Sequence, residues 1–152
     1  MASTPSPTIP LIYKFVFLYF EPAGAILGAI LLHFSPQVFL TGMAPTATST
    51  TSNQVIYDQL AATYLLFAFN EAVLLRVTND LKIWKTLLTG ILICDCVHLY
   101  GSWAALGPEM FWNPANWRWE DVVNLGSLWG QGALRVAFLT GVGLGKEKGK
   151  RL

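Results

Sequence analysis

Four stretches of this chain, residues 11–34, 60–77, 83–106 and 122–144, stay predominantly apolar over close to the length a helix needs to cross a bilayer. A hydrocarbon core takes about 20 such residues per helix, because each residue advances about 1.5 Å along the axis. An amphipathic helix of a water-soluble bundle would place polar residues on one face throughout; these stretches do not. Charged residues make up only 12% of the chain and hydrophobic ones 53%, whereas a soluble domain carries about 25% charge. The pattern predicts an all-α protein: a four-transmembrane-helix bundle forming one integral membrane domain over residues 1–152, with the lipid bilayer as its solvent.

Between the spans the sequence turns polar. Residues 35–58 hold Pro36, Pro45 and a Thr/Ser-rich run at 46–52, with no Lys or Arg, and read as a loop. Asn79-Asp80 marks a tight turn and Gly107-Pro108 a helix end. Lys14, Arg76, Lys82, Lys85 and a basic tail over 145–152 (Lys146, Lys148, Lys150, Arg151) fall on one side of these spans, and the opposite loops carry only Arg118. By the positive-inside rule both termini are expected in the cytoplasm, with the endoplasmic reticulum as the default membrane. The leader at 2–10 has no positive charge, so the first span is expected to be kept as a span and not cleaved as a signal. The Trp-rich segment 111–119 on the far side is expected to form an interfacial aromatic belt or a lid over a bundle cavity.

Each span also carries an ionisable residue at middle depth. At 1.5 Å per residue, Glu21 lies about 15 Å into the first stretch, Glu71 about 17 Å into the second, Asp95 about 18 Å into the third and Arg135 about 20 Å into the fourth. Alternate spans run in opposite directions, so these depths coincide. Facing lipid, four charges would cost on the order of 10–14 kcal/mol on an insertion scale, so all four are expected to face inward and meet. Three acids against one Arg cannot all be paired as charges, and a carboxyl kept in its neutral form would be a resting general acid. Helical spacing extends these positions into polar stripes. Asn124, Gln131 and Arg135 share a face, as do Tyr64 and Glu71; Asn70 sits beside Glu71, and Asp95 and His98 are one turn apart. Glu21-Pro22 and Gly24-x-x-x-Gly28 add a kink, which leaves the Leu18 carbonyl in need of a partner, and a groove for a neighbouring helix.

Other chemistries find little support. A di-iron bundle needs two Glu-x-x-His turns, whereas this chain has one Asp-x-x-His, and its other histidine, His33, lies far along the first span; no metal is expected. Cys94 and Cys96, two apart, point to nearly opposite sides of a helix and read as reduced small hydrophobes. No Gly-rich nucleotide loop, nucleophile motif or zinc spacing occurs, so no cofactor is expected. The formal charge of +1 makes nucleic acid an unsuitable partner.

Taken together, Glu21-Pro22, Asn70-Glu71 with Arg76, Asp80 with Trp84, Asp95 with His98, Trp112-Asn113 with Trp117, and Asp121 with Asn124 and Arg135 resemble a poorly characterised family of small fungal four-span membrane proteins, often encoded among secondary-metabolite genes. The resemblance covers nearly the whole chain and implies a lipophilic polyketide or terpenoid substrate. The architecture is also similar to sterol-isomerase-type proteins and to fungal integral-membrane cyclases, both of which move protons on apolar substrates.

The expected function is therefore a membrane-embedded isomerase or cyclase acting by acid/base proton transfer without a cofactor. Glu71 and Asp95 would form the acid/base pair, His98 would orient or relay, and Glu21 would be a second acid. Arg135 would hold an enolate or carboxylate, with Asn70, Gln131, Asn124 and Tyr64 lining the substrate. A homo-oligomer or association with pathway enzymes fits the same reading. The alternative is a lipid-binding, proton-coupled transport or scaffold protein without catalysis, its charges serving as interhelical glue.

Overall fold

The computed structural model describes residues 8–145; the basic tail positions Lys146, Lys148, Lys150 and Arg151, and most of the leader at 2–10, lie outside them. The described residues form helices and no strand: α1 (Leu11–Phe34), α2 (Pro36–Met43), α3 (Gln54–Ala72), α4 (Leu81–Leu106), α5 (Pro108–Phe111) and α6 (Trp119–Leu139). Two of these, α1 and α4, are long and apolar enough to cross a membrane.

Local chemistry sets the ends. Asp80 accepts the Lys82 N–H at 2.8 Å and starts α4, as N-cap aspartates do. Gly107, at φ +80°, ends it in the left-handed region that favours glycine, and Pro108 follows. Asp121 accepts the Arg118 N–H at 3.0 Å across the first turn of α6.

The second long helix departs from expectation. It covers 54–72 and not 60–77, because a capping arrangement between Thr50 and Asn53 starts it early and a 3₁₀ turn, Leu74–Arg76, breaks it after Ala72. The stretch expected to be a loop at 35–58 contains α2, started by Pro36 at its first position. The following Thr/Ser-rich run folds back onto that helix, with Gln37 donating to the Ala47 carbonyl at 3.2 Å and accepting the Ser49 N–H at 2.8 Å.

Inside α1, the Glu21 N–H bonds to the Val16 carbonyl in a π turn, Val16–Phe20. Pro22 has no N–H to offer Leu18. The C-terminal half of α1 packs most extensively on α3, and α4 packs on α6. At Gly28 the ring of Tyr64 closes so tightly that a Cβ there would lie 2.6 Å from Cε2, whereas Gly24 has open space around it. Only one glycine of the expected pair therefore makes the groove.

The apolar core is heaviest at one end, where Tyr13, Phe17, Leu75, Trp84, Leu88 and Phe138 are buried together. Here Tyr13 Oη donates to the Val142 carbonyl at 2.9 Å and Lys85 Nζ to the Leu139 carbonyl at 3.1 Å. The start of α1, the α3–α4 turn and the end of α6 therefore meet at this end, and it carries Lys14, Arg76, Lys82 and Lys85. The other end holds α2, α5, Arg118 and a set of exposed aromatics that includes Tyr100, Trp112 and Trp119. The lateral surface is strongly apolar: Leu11, Phe15, Ile30, Leu66, Phe69, Ile93 and Val97 are all exposed, while Glu71 and Asp121 are among the most completely buried side chains.

Candidate functional site

The long helices converge on Arg135, which is buried on the inner face of α6. Its Nη1 donates to Asp95 Oδ2 on α4, and its Nη2 donates to Glu21 Oε2 on α1. The same Nη2 lies 3.5 Å from Glu71 Oε1 on α3. Three carboxyls from three helices thus share one guanidinium from the fourth. Glu21 is carried there by the turn that joins the π segment to Pro22, and Glu71 by the last turn of α3. Planar guanidinium suits this role, since its N–H groups fan out in one plane toward several oxygens.

The satisfaction of the cluster is incomplete. Glu21 Oε1 and Arg135 Nε are buried without a hydrogen-bond partner among the described residues. The four side chains are not equally enclosed: Asp95 is 11% exposed, against 3% for Arg135 and Glu71 and 4% for Glu21. Asp95 is therefore the member nearest the outer surface of the bundle. Beneath the guanidinium, the Phe17 ring centroid is 5.9 Å from Arg135 Cζ, within cation–π range.

The other expected site residues stand apart from this contact set. His98 is half-buried one turn along α4; Asp95 accepts a hydrogen bond from Arg135, and none joins it to His98 among the described residues. Packing of α4 on α6 brings the guanidinium to this carboxyl. Gln131 and Asn70 are half-buried and make no side-chain hydrogen bond among the described residues. Tyr64 is spent on packing against Gly28. Asn124 is buried, with its Nδ2 unpartnered, eleven residues before Arg135 and so about 16 Å along α6.

Two polar features escaped the residue pattern. Arg76, just past α3, donates to the Leu18 carbonyl at 2.7 Å and sits 4.5 Å over the Tyr19 ring; Pro22 was the signal that this carbonyl needed a donor. Asp121, fully buried, pairs with Arg118 through two side-chain bonds of 2.8 and 2.6 Å, and Arg118 also reaches the Thr41 carbonyl of α2 at 3.2 Å. That pair lies outside the apolar span, and the Arg118 side-chain hydrogen bonds hold the Asp121 carboxyl below the usual aspartate range.

Among the described residues no three His, Cys, Asp or Glu side chains are placed to share a metal ion; the cation that Glu21, Glu71 and Asp95 share is the guanidinium. Two surface grooves lie elsewhere. One of about 530 Å³ is lined by Leu11, Lys14, Phe15, Leu18 and Tyr19 on α1. Another of about 320 Å³ lies by Pro36, Ser49 and Gln54.

No curated protein and no solved structure matches this chain. The model of a poorly characterised family, described as a domain of unknown function (DUF7704), matches residues 6–145, and the chain belongs to that family.

Proposed function

We propose that this protein is a four-span membrane protein whose buried carboxyls exchange protons with a lipophilic metabolite, as a cofactor-independent isomerase or cyclase. The carrying observation is the set of three buried carboxyls that share Arg135. One guanidinium balances one carboxylate. An uncompensated charge in a low-dielectric interior is costly, so the cluster reaches neutrality by holding protons on two of its carboxyls.

The membrane part of this reading rests on the inverted distribution of polarity, apolar outside and ionic inside. It also rests on helix lengths: α3 has 19 residues and α6 has 21, about 28 and 32 Å at the helical rise. Asp95, nearest the outer surface, is the group that meets a substrate entering from lipid. It gives its proton to one carbon of a double bond; a neighbouring carboxylate, Glu71 or Glu21, removes one from the carbon flanking the other end of that bond, and the double bond shifts by one position with no net proton change. Arg135 stabilises negative charge that develops on a substrate oxygen, and His98 relays. The resemblance to small fungal membrane proteins encoded among secondary-metabolite genes supports a polyketide or terpenoid as substrate. Charge asymmetry supports a topology with both termini in the cytoplasm, and the endoplasmic reticulum is the membrane in this reading.

The test has two parts. Extracts of cells with and without the intact gene are compared for an accumulated precursor, which is then the assay substrate. Glu71→Gln and Asp95→Asn keep shape but cannot exchange a proton, and turnover per folded molecule falls about 10²-fold or more. Near-normal turnover in both overturns the acid/base roles. Tags on both termini in sealed microsomes test the topology, and a terminus protected from protease overturns it.

A second reading has its own observation: neither surface groove adjoins the cluster. In that reading Arg135 is an interhelical clamp holding four helices in register, and both amide variants keep full function.

A further inference from the structure

We infer that the α4–α6 seam holds a chain of buried waters that conducts protons between the carboxyl cluster and the Arg118 end of the bundle. This inference rests on the proton-exchange reading above and gives it a direction.

The two sides of the cluster differ in kind. Toward the Lys14 end, Phe17, Leu75, Trp84, Leu88 and Phe138 are all at or below 1% exposure and pack as one apolar plug. The one indole N–H in that plug is already bonded, Trp84 Nε1 donating to the Thr78 carbonyl at 2.9 Å. Of the other polar groups at that end, Tyr13 Oη, Lys85 Nζ and Arg76 are each spent on a backbone carbonyl.

Toward the Arg118 end the seam is polar in short steps. The two helices run in opposite directions and touch at Asp95 and Arg135. Measured from that contact at the helical rise, His98 stands about 4.5 Å along, Gln131 about 6 Å, Ser102 about 10 Å, Asn124 about 16 Å and Asp121 about 21 Å. Along the helix axes successive members are offset by about 6 Å or less, the scale on which single waters link polar groups. Ser102, Asn124 and Asp121 are buried, and Leu128 is the apolar neighbour among them.

The unsatisfied atoms mark the same line. Asn124 Nδ2 and Arg135 Nε are both buried donors without a partner among the described residues, and they bracket the seam. A buried N–H without an acceptor is costly; an ordered water at each removes that cost, and internal waters in proteins occupy such places. The line ends at Asp121, itself fully buried, whose ion-pair partner Arg118 is partly exposed. Polar residues aligned in this way inside membrane helices form proton relays.

The experiment follows the infrared C=O band of the protonated carboxyls in the full-length protein, reconstituted in bilayers, after mixing into D₂O. In the unaltered protein the band shifts rapidly. Asn124→Leu and Gln131→Leu slow that shift by about tenfold or more, and Ser102→Ala, which removes one oxygen and preserves packing, slows it as well. Thr63→Val, at an exposed hydroxyl of α3 bonded to its own helix, leaves the rate unchanged. Unchanged rates in all three seam variants overturn the route while the proton-holding cluster stands. Absence of the carboxyl band from the unaltered protein overturns both.

Discussion

Arg76 donates a hydrogen bond to the backbone carbonyl of Leu18 at 2.7 Å, from just past the end of α3 to the interior of α1. The bond answers a defect that Pro22 creates, and its position beside Glu21 ties the repair of α1 to the placement of the first carboxyl. Arg76→Gln should lower stability by about 1.5–3 kcal/mol, the range for a hydrogen bond from a charged donor. In a Pro22→Ala background the loss should shrink, because alanine returns an N–H to α1. Unfolding in detergent across this double-mutant cycle measures the coupling; strictly additive losses would refute the relationship.

Gly24 and Gly28 should separate cleanly. Gly28→Ala drives a methyl group to 2.6 Å from the Tyr64 ring, an overpacking that costs about 1–3 kcal/mol. Gly24→Ala meets nothing within 4 Å and should gain about 0.5–1 kcal/mol of helix preference. Thermal unfolding of the two variants should shift in opposite directions.

Removing the shared cation should be far worse than neutralising one acid. Arg135→Met leaves buried carboxyls without their donor and should cost about 3–5 kcal/mol. Glu71→Gln retains a hydrogen-bonding group at a contact of 3.5 Å and should cost little. Comparable losses in the two variants would contradict the geometry.

The Arg118–Asp121 pair gives a pH dependence whose sign is fixed. The Asp121 carboxyl lies below its ordinary value chiefly because of the Arg118 side-chain hydrogen bonds, with burial opposing. The unfolded chain therefore takes up its proton first as pH falls. The pair's contribution is complete above about pH 3.9, the ordinary aspartate value, and is lost as pH falls further through the folded value. Asp121→Asn should remove that portion of the acid sensitivity. Unfolding of the two forms between pH 6 and pH 2, roughly the range that brackets the aspartate transition, checks this; parallel curves would count against it.

Much of the arrangement was legible in the residues. The spacing of apolar residues gave helices near 11–34, 83–106 and 122–144, and the middle depth of Glu21, Glu71, Asp95 and Arg135 showed that they could share a level. Both follow from the helical rise and from the cost of exposing charge to lipid, which are properties of local sequence. Pro22 even announced an orphaned carbonyl at Leu18. The identity of the donor was not legible, because Arg76 is distant in sequence and reaches Leu18 only after α3 has packed on α1.

Tertiary structure alone decided the competitions. Asp95 has His98 one turn away, yet its carboxyl bonds Arg135 of α6, which packing brings in as a charged donor. Gly24 and Gly28 are equivalent in sequence, and only the position of Tyr64 makes one of them a contact. The early start of α3 and the folding of the Thr/Ser-rich run onto α2 depend on side-chain bonds at Asn53 and Gln37 that periodicity does not encode. Local sequence determined which segments are helical and which groups must be hidden; long-range packing determined which of the hidden groups touch.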